Sequence, residues 1–235
     1  MPEIDSLLDS SSAQKGSLTH QAIEDYLKTI YVLAQEETPV STSRIAEARE
    51  VKPGSATGMI KRLDKLNLVH YQKHYGVTLT EAGEKIALEV LRHHRLLETY
   101  LIEALGFSWD EVHEQADILE HVISEKLEER IAAALDHPKF DPHGAPIPSK
   151  DGQIPTLDTL PLTELPLGTI ARVARIAYDE DAEMLRYLAD LGLMPGQEII
   201  IKAIAPFDGP ITIHIDGADK IVGHNVATAV LVEPL

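Results

Sequence analysis

Cysteine is missing from this 235-residue chain, and that gap closes several routes at once. Disulfides, thiolate zinc sites, iron–sulfur clusters and cysteine nucleophiles are all excluded, so any bound metal must be held by nitrogen and oxygen. No run of 18 apolar residues occurs, so the sequence offers no bilayer-spanning helix. Met1 to Ser17 carries acids and a Ser10-Ser11-Ser12 run where a signal peptide would have a basic start and an apolar stretch. That segment reads as a disordered tail, and the expected compartment is the cytoplasm. His-Glu-x-x-His, Gly-x-Ser-x-Gly and P-loop motifs are absent, as is the paired Glu-x-x-His of a di-iron bundle. A metalloenzyme is therefore the weaker reading, and no catalytic residue is assigned.

Positive charge is also scarce. Lys and Arg number 21 against 38 Asp and Glu, a net charge of −17, which on average opposes nucleic acid. The average hides a division. Between Thr38 and Thr80 the cations Arg44, Arg49, Lys52, Lys61, Arg62, Lys65 and Lys73 outnumber Glu47, Glu50 and Asp64. From Glu103 to Asp136 only Lys126 and Arg130 oppose the acids. A phosphate backbone feels charge within a Debye length, so the local excess is what counts.

What is present has helical and strand periods in a definite order. Ile23, Leu27, Ile30, Tyr31 and Ala34 make one stripe of a helix from about Leu18 to Glu36. Ser41 to Ala48 reads as a short helix, broken by Lys52-Pro53-Gly54-Ser55, and Ser55 to Leu66 as a second, with Ala56, Met59, Ile60 and Leu63 inward. The outer face of that second helix (Ser55, Thr57, Gly58, Lys61, Arg62, Lys65) is small, hydroxylic or basic, as a helix entering a major groove requires. Val69 to Lys73 and Gly76 to Thr80 alternate as a hairpin. Together these parts read as a winged helix-turn-helix DNA-binding domain. Asp25 lies off its apolar stripe and by itself is a surface carboxylate.

A long helix from Thr80 to Leu105 follows, presenting His94 and Glu98 together at i and i+4; His93 points elsewhere and is given no role. Ser108 and Glu111 form a capping box for a helix expected from Trp109 to Leu135. On it His113, Asp117, Glu120 and His121 share an arc of roughly 100°, beside an apolar arc of Val112, Ala116, Leu119, Ile123 and Leu127. Such a stripe suits a divalent cation; a solvated acidic helix carrying two histidines is the alternative. Leu91, Leu101, Leu105, Ile131 and Leu135 are left over as a surface for a second subunit. Seven prolines between His137 and Gly168 mark a linker. Beyond it, strands at 169–173, 198–204, 211–215 and 229–232 and a helix at 182–191 make a small barrel.

The order of parts resembles the diphtheria-toxin-repressor family, and more closely its manganese-responsive branch. The resemblance rests on Asp25-Tyr26-Leu27-Lys28-Thr29-Ile30-Tyr31, His93-His94-Arg95-Leu96-Leu97-Glu98, Val112-His113-Glu114 with Leu119-Glu120-His121, and Asp141-Pro142-His143-Gly144-Ala145-Pro146-Ile147-Pro148. It implies a mainly α chain with a small β part: a tail at 1–17, a winged helix-turn-helix at 18–80, and a helical dimerisation and metal-binding domain at 81–137. A linker at 138–167 and an SH3-like (FeoA-like) domain at 168–235 complete the expected division. It further implies a metal-dependent repressor of metal-uptake genes that binds operator DNA as a homodimer.

The family's regulatory site, carried over, falls on Asp25, Asp117, Glu120 and His121, and a second site on His94, Glu98 and His113. Iron-responsive members have methionine and cysteine at the places of Asp25 and Asp117. Carboxylates there favour Mn(II), with Fe(II) as the alternative. Lys28 stands where a manganese-specific member has glutamate, which argues against a close dinuclear cluster. In the barrel, the matching ligand pair falls near Asp181 and Met184, and Asp181 or Glu183 is the candidate donor. On DNA, Ser41, Thr42, Ser43, Ser55 and Thr57 are expected at phosphates, Lys61, Arg62 and Lys73 as counter-charge, and Lys52 and Gly58 near base edges. A metal-independent winged-helix regulator is the runner-up.

Overall fold

The computed structural model describes residues 13–177 and 181–235. The expected tail thus lies outside the described residues as far as residue 12, and helix α1 spans Ala13–Ala34. The chain divides into two compact units: one runs through Arg92 and takes in Lys150–Gly152, the other comprises His93–Ser149 and Gln153–Leu235.

In the first unit, Ile23, Leu27 and Ile30 recur on one face of α1 and are fully buried, as the helical period demands. Helix α2 (Thr42–Ala48) is capped by Ser41, whose hydroxyl accepts from the Arg44 N–H at 3.2 Å. Helix α3 begins at Pro53, two residues earlier than expected, and ends at Lys65. Pro53 opens the helix rather than breaking it, because the first turn has no use for its missing N–H. Ala56, Ile60 and Leu63 turn inward to the common core. Strands β1 (Val69–Gln72) and β2 (Gly76–Leu79) pair antiparallel in the register Val69↔Leu79. Val40 adds a bridge to Val77, with two backbone hydrogen bonds of 2.9 Å.

Helix α4 (Glu81–Leu105) starts where the Thr80 hydroxyl accepts from the Gly83 N–H at 3.1 Å. A Cβ at Gly83 would run into the Leu68 carbonyl, so only glycine lets the helix pass that close to the chain leading into the wing. The last turns of α4, from His93 on, belong to the second unit.

There the single helix expected from Trp109 to Leu135 is two: α5 (Val112–Leu119) and α6 (Glu125–Ala134). Ser124 is the reason for the restart, since its hydroxyl accepts from the Leu127 N–H at 3.3 Å and caps α6. Glu120 and His121 therefore sit on the turn between helices, off any continuous stripe. The apolar arc changes with it: Val112, Ala116 and Ile123 are buried, but Leu127 is exposed. Of the surface expected to meet a second subunit, Leu91, Leu101 and Ile131 are buried within the chain and Leu135 is partly buried. Leu105, Ile118, Val122 and Leu127 are the large apolar side chains this region exposes.

The proline-rich stretch is not loose throughout. Asp141 and His143 to Pro148 are buried, and a bridge joins Phe140 to Pro146. The Asp141 carboxylate accepts the N–H groups of His143 and Ala145 at 2.9 Å each, which ties the turn into a rigid strap. The sheet that follows has the order β3-β8-β4-β5-β6-β7, all pairs antiparallel: Leu160–Pro161, Val230–Pro234, Ile170–Ile176, Glu198–Ile204, Ile211–Ile215 and Ala218–Val222. Alternation aims Ile211, Ile213 and Ile215 at its core. Helix α7 (Ala182–Leu191) falls where expected, while β7 and the short helix α8 (His224–Ala229) carry too little apolar pattern to be legible.

Candidate metal centre

Helix α4 supplies His94 and Glu98 one turn apart, and α5 lays His113 and Asp117 across them. His94 Nε2 lies 3.0 Å from Glu98 Oε1 and 3.1 Å from His113 Nδ1, which is itself 3.2 Å from the same Glu98 oxygen. The other His94 nitrogen, Nδ1, is 2.6 Å from Glu120 Oε2 and 3.3 Å from Asp117 Oδ1. Asp117 Oδ2 is 3.6 Å from His113 Nε2, and His121 Nε2 is 3.4 Å from Glu120 Oε1. Six donors named from the sequence are thus gathered in the second unit: His94, Glu98, His113, Asp117, Glu120 and His121. The seventh, Asp25, is on α1 in the first unit, where its carboxylate takes a 2.8 Å bond from Arg49.

Two further donors join from the strap. Glu98, Asp141 and His143, all buried, offer ligand atoms within 4.8 Å of one another, and so do His94, His113 and Asp117. His143 Nδ1 is 3.8 Å from Glu98 Oε2. Sequence spacing could not pair residues so far apart along the chain, though the Asp141-Pro142-His143 motif was the available signal. His93 is a second omission. Its ring is buried, with Nδ1 3.2 Å from the Glu120 carbonyl oxygen and Nε2 3.7 Å from Glu128, so it steadies the turn that carries two donors.

The electrostatics of the cluster follow from burial. Desolvation pushes the Glu98 carboxyl up, but the charge of His94, the hydrogen bonds of His113 and His94 and the nearby His143 imidazole outweigh it and hold it well below the usual carboxylate range. Burial lowers His113, yet its hydrogen bond to Glu98 and the charges of Glu98 and Asp117 leave it raised, against the opposing charge of His94. Glu98 Oε2 is buried with no hydrogen-bond partner. An ionised carboxylate with an unsatisfied buried oxygen, facing imidazoles, suits a divalent cation. The donors are all nitrogen and oxygen, which admits Mn(II), Fe(II) and Zn(II).

The strap also binds this cluster to the sheet. His143 Nε2 is 3.0 Å from the Trp109 carbonyl, the Trp109 ring lies 5.1 Å from the His143 ring, and the Trp109 indole N–H donates to the Pro142 carbonyl at 3.0 Å. The His143 carbonyl accepts the Ile176 N–H, and Gly144, at φ +86°, has no room for a Cβ against Ala174. Asp181, the donor expected from the barrel, spends one oxygen capping α7, accepting from the Glu183 and Met184 N–H groups at 3.0 and 3.1 Å. Neither Asp181 nor Glu183 joins a ligand group among the described residues.

On the winged helix, Lys52, Ser55, Gly58, Lys61, Arg62 and Lys73 are exposed, as is Ser43, and Thr42 is half-buried. Ser41 is engaged as a cap, and the Thr57 hydroxyl donates to the Pro53 carbonyl at 2.8 Å. A Cβ at Gly58 would meet nothing within 4 Å, so this mid-helix glycine leaves open space on the face predicted to meet DNA.

Comparison with known proteins covers nearly the whole chain. Residues 18–77 match a model described as iron dependent repressor, N-terminal DNA binding domain. Residues 80–149 match iron dependent repressor, metal binding and dimerisation domain, and residues 160–234 the FeoA domain. The iron-dependent repressor IdeR of Mycobacterium tuberculosis is 33% identical over 222 residues, 89% of this chain and 96% of that protein. The diphtheria toxin repressor of Corynebacterium glutamicum is 31% identical, over 89% and 95% of the two chains. Among solved structures, a manganese-dependent transcriptional repressor in complex with manganese is 42% identical with a TM-score of 0.84, covering 91% of this chain and all of that one. ScaR with bound Zn2+ is 33% identical with a TM-score of 0.76, over 91% and 99%.

Proposed function

The chain belongs to the iron-dependent repressor family, as a metal-dependent DNA-binding transcriptional repressor, and on that premise we propose that Mn(II) is its activating cation, with Fe(II) the alternative. The observation that carries the metal dependence is the cluster of nitrogen and oxygen donors around the buried Glu98; the choice among cations rests on the two considerations that follow. Carboxylates at Asp25 and Asp117 support the harder cation over one that gains from sulfur donors. Structures of manganese-dependent repressors at 42% and 39% identity favour the same choice.

The regulatory ligands are Asp25, Asp117, Glu120 and His121. Asp25 belongs to the DNA-binding helices and the other three to the dimerisation region. A ligand set drawn from both makes metal occupancy and DNA competence mutually dependent, because each favours the other's geometry. The bound cation supplies positive charge that offsets the repulsion among three carboxylates. His94, Glu98 and His113 form a second site, to which Asp141 and His143 contribute through their shared approach to Glu98.

Operator DNA meets a homodimer, one winged helix to each half-site. Ser41, Thr42, Ser43, Ser55 and Thr57 touch phosphates, Lys61, Arg62 and Lys73 add counter-charge, and Lys52 and Gly58 approach base edges. The regulated genes are those of metal uptake, silenced when the cation is plentiful. Fluorescence anisotropy of the full chain on a duplex selected with Mn(II) tests this, comparing Mn(II), anaerobic Fe(II) and chelator. Binding lost to chelator and restored best by Mn(II) is expected. Chelator-insensitive binding would overturn the reading in favour of a metal-independent winged-helix regulator.

A further inference from the structure

Resting on the reading of Asp25 as a ligand, what its carboxylate already touches decides what a cation must overcome. Arg49, the residue that ends α2, places Nη2 2.8 Å from Asp25 Oδ2. The two side chains are only 30% and 19% exposed, so solvent screens the pair weakly. The guanidinium also lies 5.9 Å from the centroid of the Tyr26 ring, and its Nε is buried without a hydrogen-bond partner. Arg49 is therefore held on Asp25 by a short ion pair, with the Tyr26 ring beside it.

We propose that Arg49 is a tethered competitor of the activating cation, setting the metal concentration at which the protein responds. Guanidinium and divalent cation draw on the charge of the same carboxylate. Metal binding must either displace Arg49 or share Asp25 with a second positive charge, and both outcomes weaken it. The penalty depends on charge and not on donor softness. It therefore shifts Mn(II) and Fe(II) affinities together, moving the threshold without changing the order of preference.

Metal affinity and stoichiometry of the full chain, measured by competition with a fluorescent chelator, test this in wild type, Arg49→Met, Arg49→Lys, Asp25→Ala and the Asp25→Ala/Arg49→Met double variant. Arg49→Met should tighten Mn(II) binding by about fivefold, the scale of a partly sheltered ion pair, at the site that Asp25→Ala removes. Arg49→Lys should stay near wild type, and Arg49→Met should change nothing once Asp25 is gone. A merely structural arginine would not give tighter binding when removed. Unchanged or weaker binding in Arg49→Met, while Asp25→Ala loses a site, overturns the competitor alone. Equal tightening in Arg49→Lys overturns it too. Full stoichiometry and affinity in Asp25→Ala overturns the ligand role of Asp25 and the competitor with it.

Discussion

The donors around Glu98 and the carboxylate of Asp25 are built in opposite ways. Around Glu98, the buried His94 and His143 and the partly buried His113 are already gathered, and the neighbouring imidazoles hold the Glu98 carboxyl well below its usual range. Such a set has met most of its ordering cost during folding, so a cation meets a nearly finished site. Asp25 stands on another unit and is bonded to a cation of the protein's own. Preassembly makes for occupancy, whereas a ligand that must be won from a competitor makes for a threshold. A sensor needs the second kind.

The sharpest way to break this contrast is Glu98→Ala. It removes the carboxylate shared by His94, His113 and His143, and metal affinity at the second site should fall on the order of 100-fold, read by metal competition. Retained affinity would mean that the cluster is a hydrogen-bond network and nothing more. Asp25→Asn should do the reverse, sparing the second site while cutting the Mn(II) stimulation of operator binding by about 50-fold. Equal damage to both sites would merge two centres that the contrast keeps apart.

Acidity should separate them further. His113 has a raised pKa, so the proton it must give up for metal leaves only as pH rises past the ordinary histidine range. Affinity at the second site should therefore climb with pH, about tenfold per unit below that raised pKa, and a flat profile would remove His113 from the ligand set. The same raised pKa acts in the opposite direction on the metal-free fold: the contact with Glu98 stabilises at pH below the unfolded histidine value and fades as pH rises through the folded one. Glu98 acts oppositely, its contribution present above the ordinary glutamate value and lost as pH falls through its depressed one. The smallest effect belongs to Ser124→Ala, which uncaps α6 and should cost about 1 kcal/mol in thermal unfolding. It should also loosen the turn that holds Glu120 and His121; undiminished stability would mean the turn is fixed from elsewhere.

Much of this was legible beforehand because it is local. His94 and Glu98 lie one turn apart, and the winged helix announces itself through Ile23, Leu27 and Ile30, through Ala56, Ile60 and Leu63, and through the alternation of β1 and β2. The break after Leu119 is not legible in the sequence because the helical period runs on through Glu120 and His121 while Ser124, a good cap, is a weak signal inside a long pattern. Nothing in the sequence marks His93, because its partner, the Glu120 carbonyl, is a backbone atom with no sequence signature.

Composition and period, read along the chain, determined that no thiolate holds a metal here, that His94 and Glu98 share one helix face, and that the first 80 residues carry a DNA-binding domain. Only the tertiary structure decided that Asp141 and His143 return to Glu98, that the strap locks onto Ala174 and Trp109, and that Arg49 claims Asp25. The reason is physical: a helix or strand repeats within a few residues, so its faces are written locally. Which distant residue closes a buried charge is settled by where the folded chain comes back, and by the need to satisfy each polar group once water has gone.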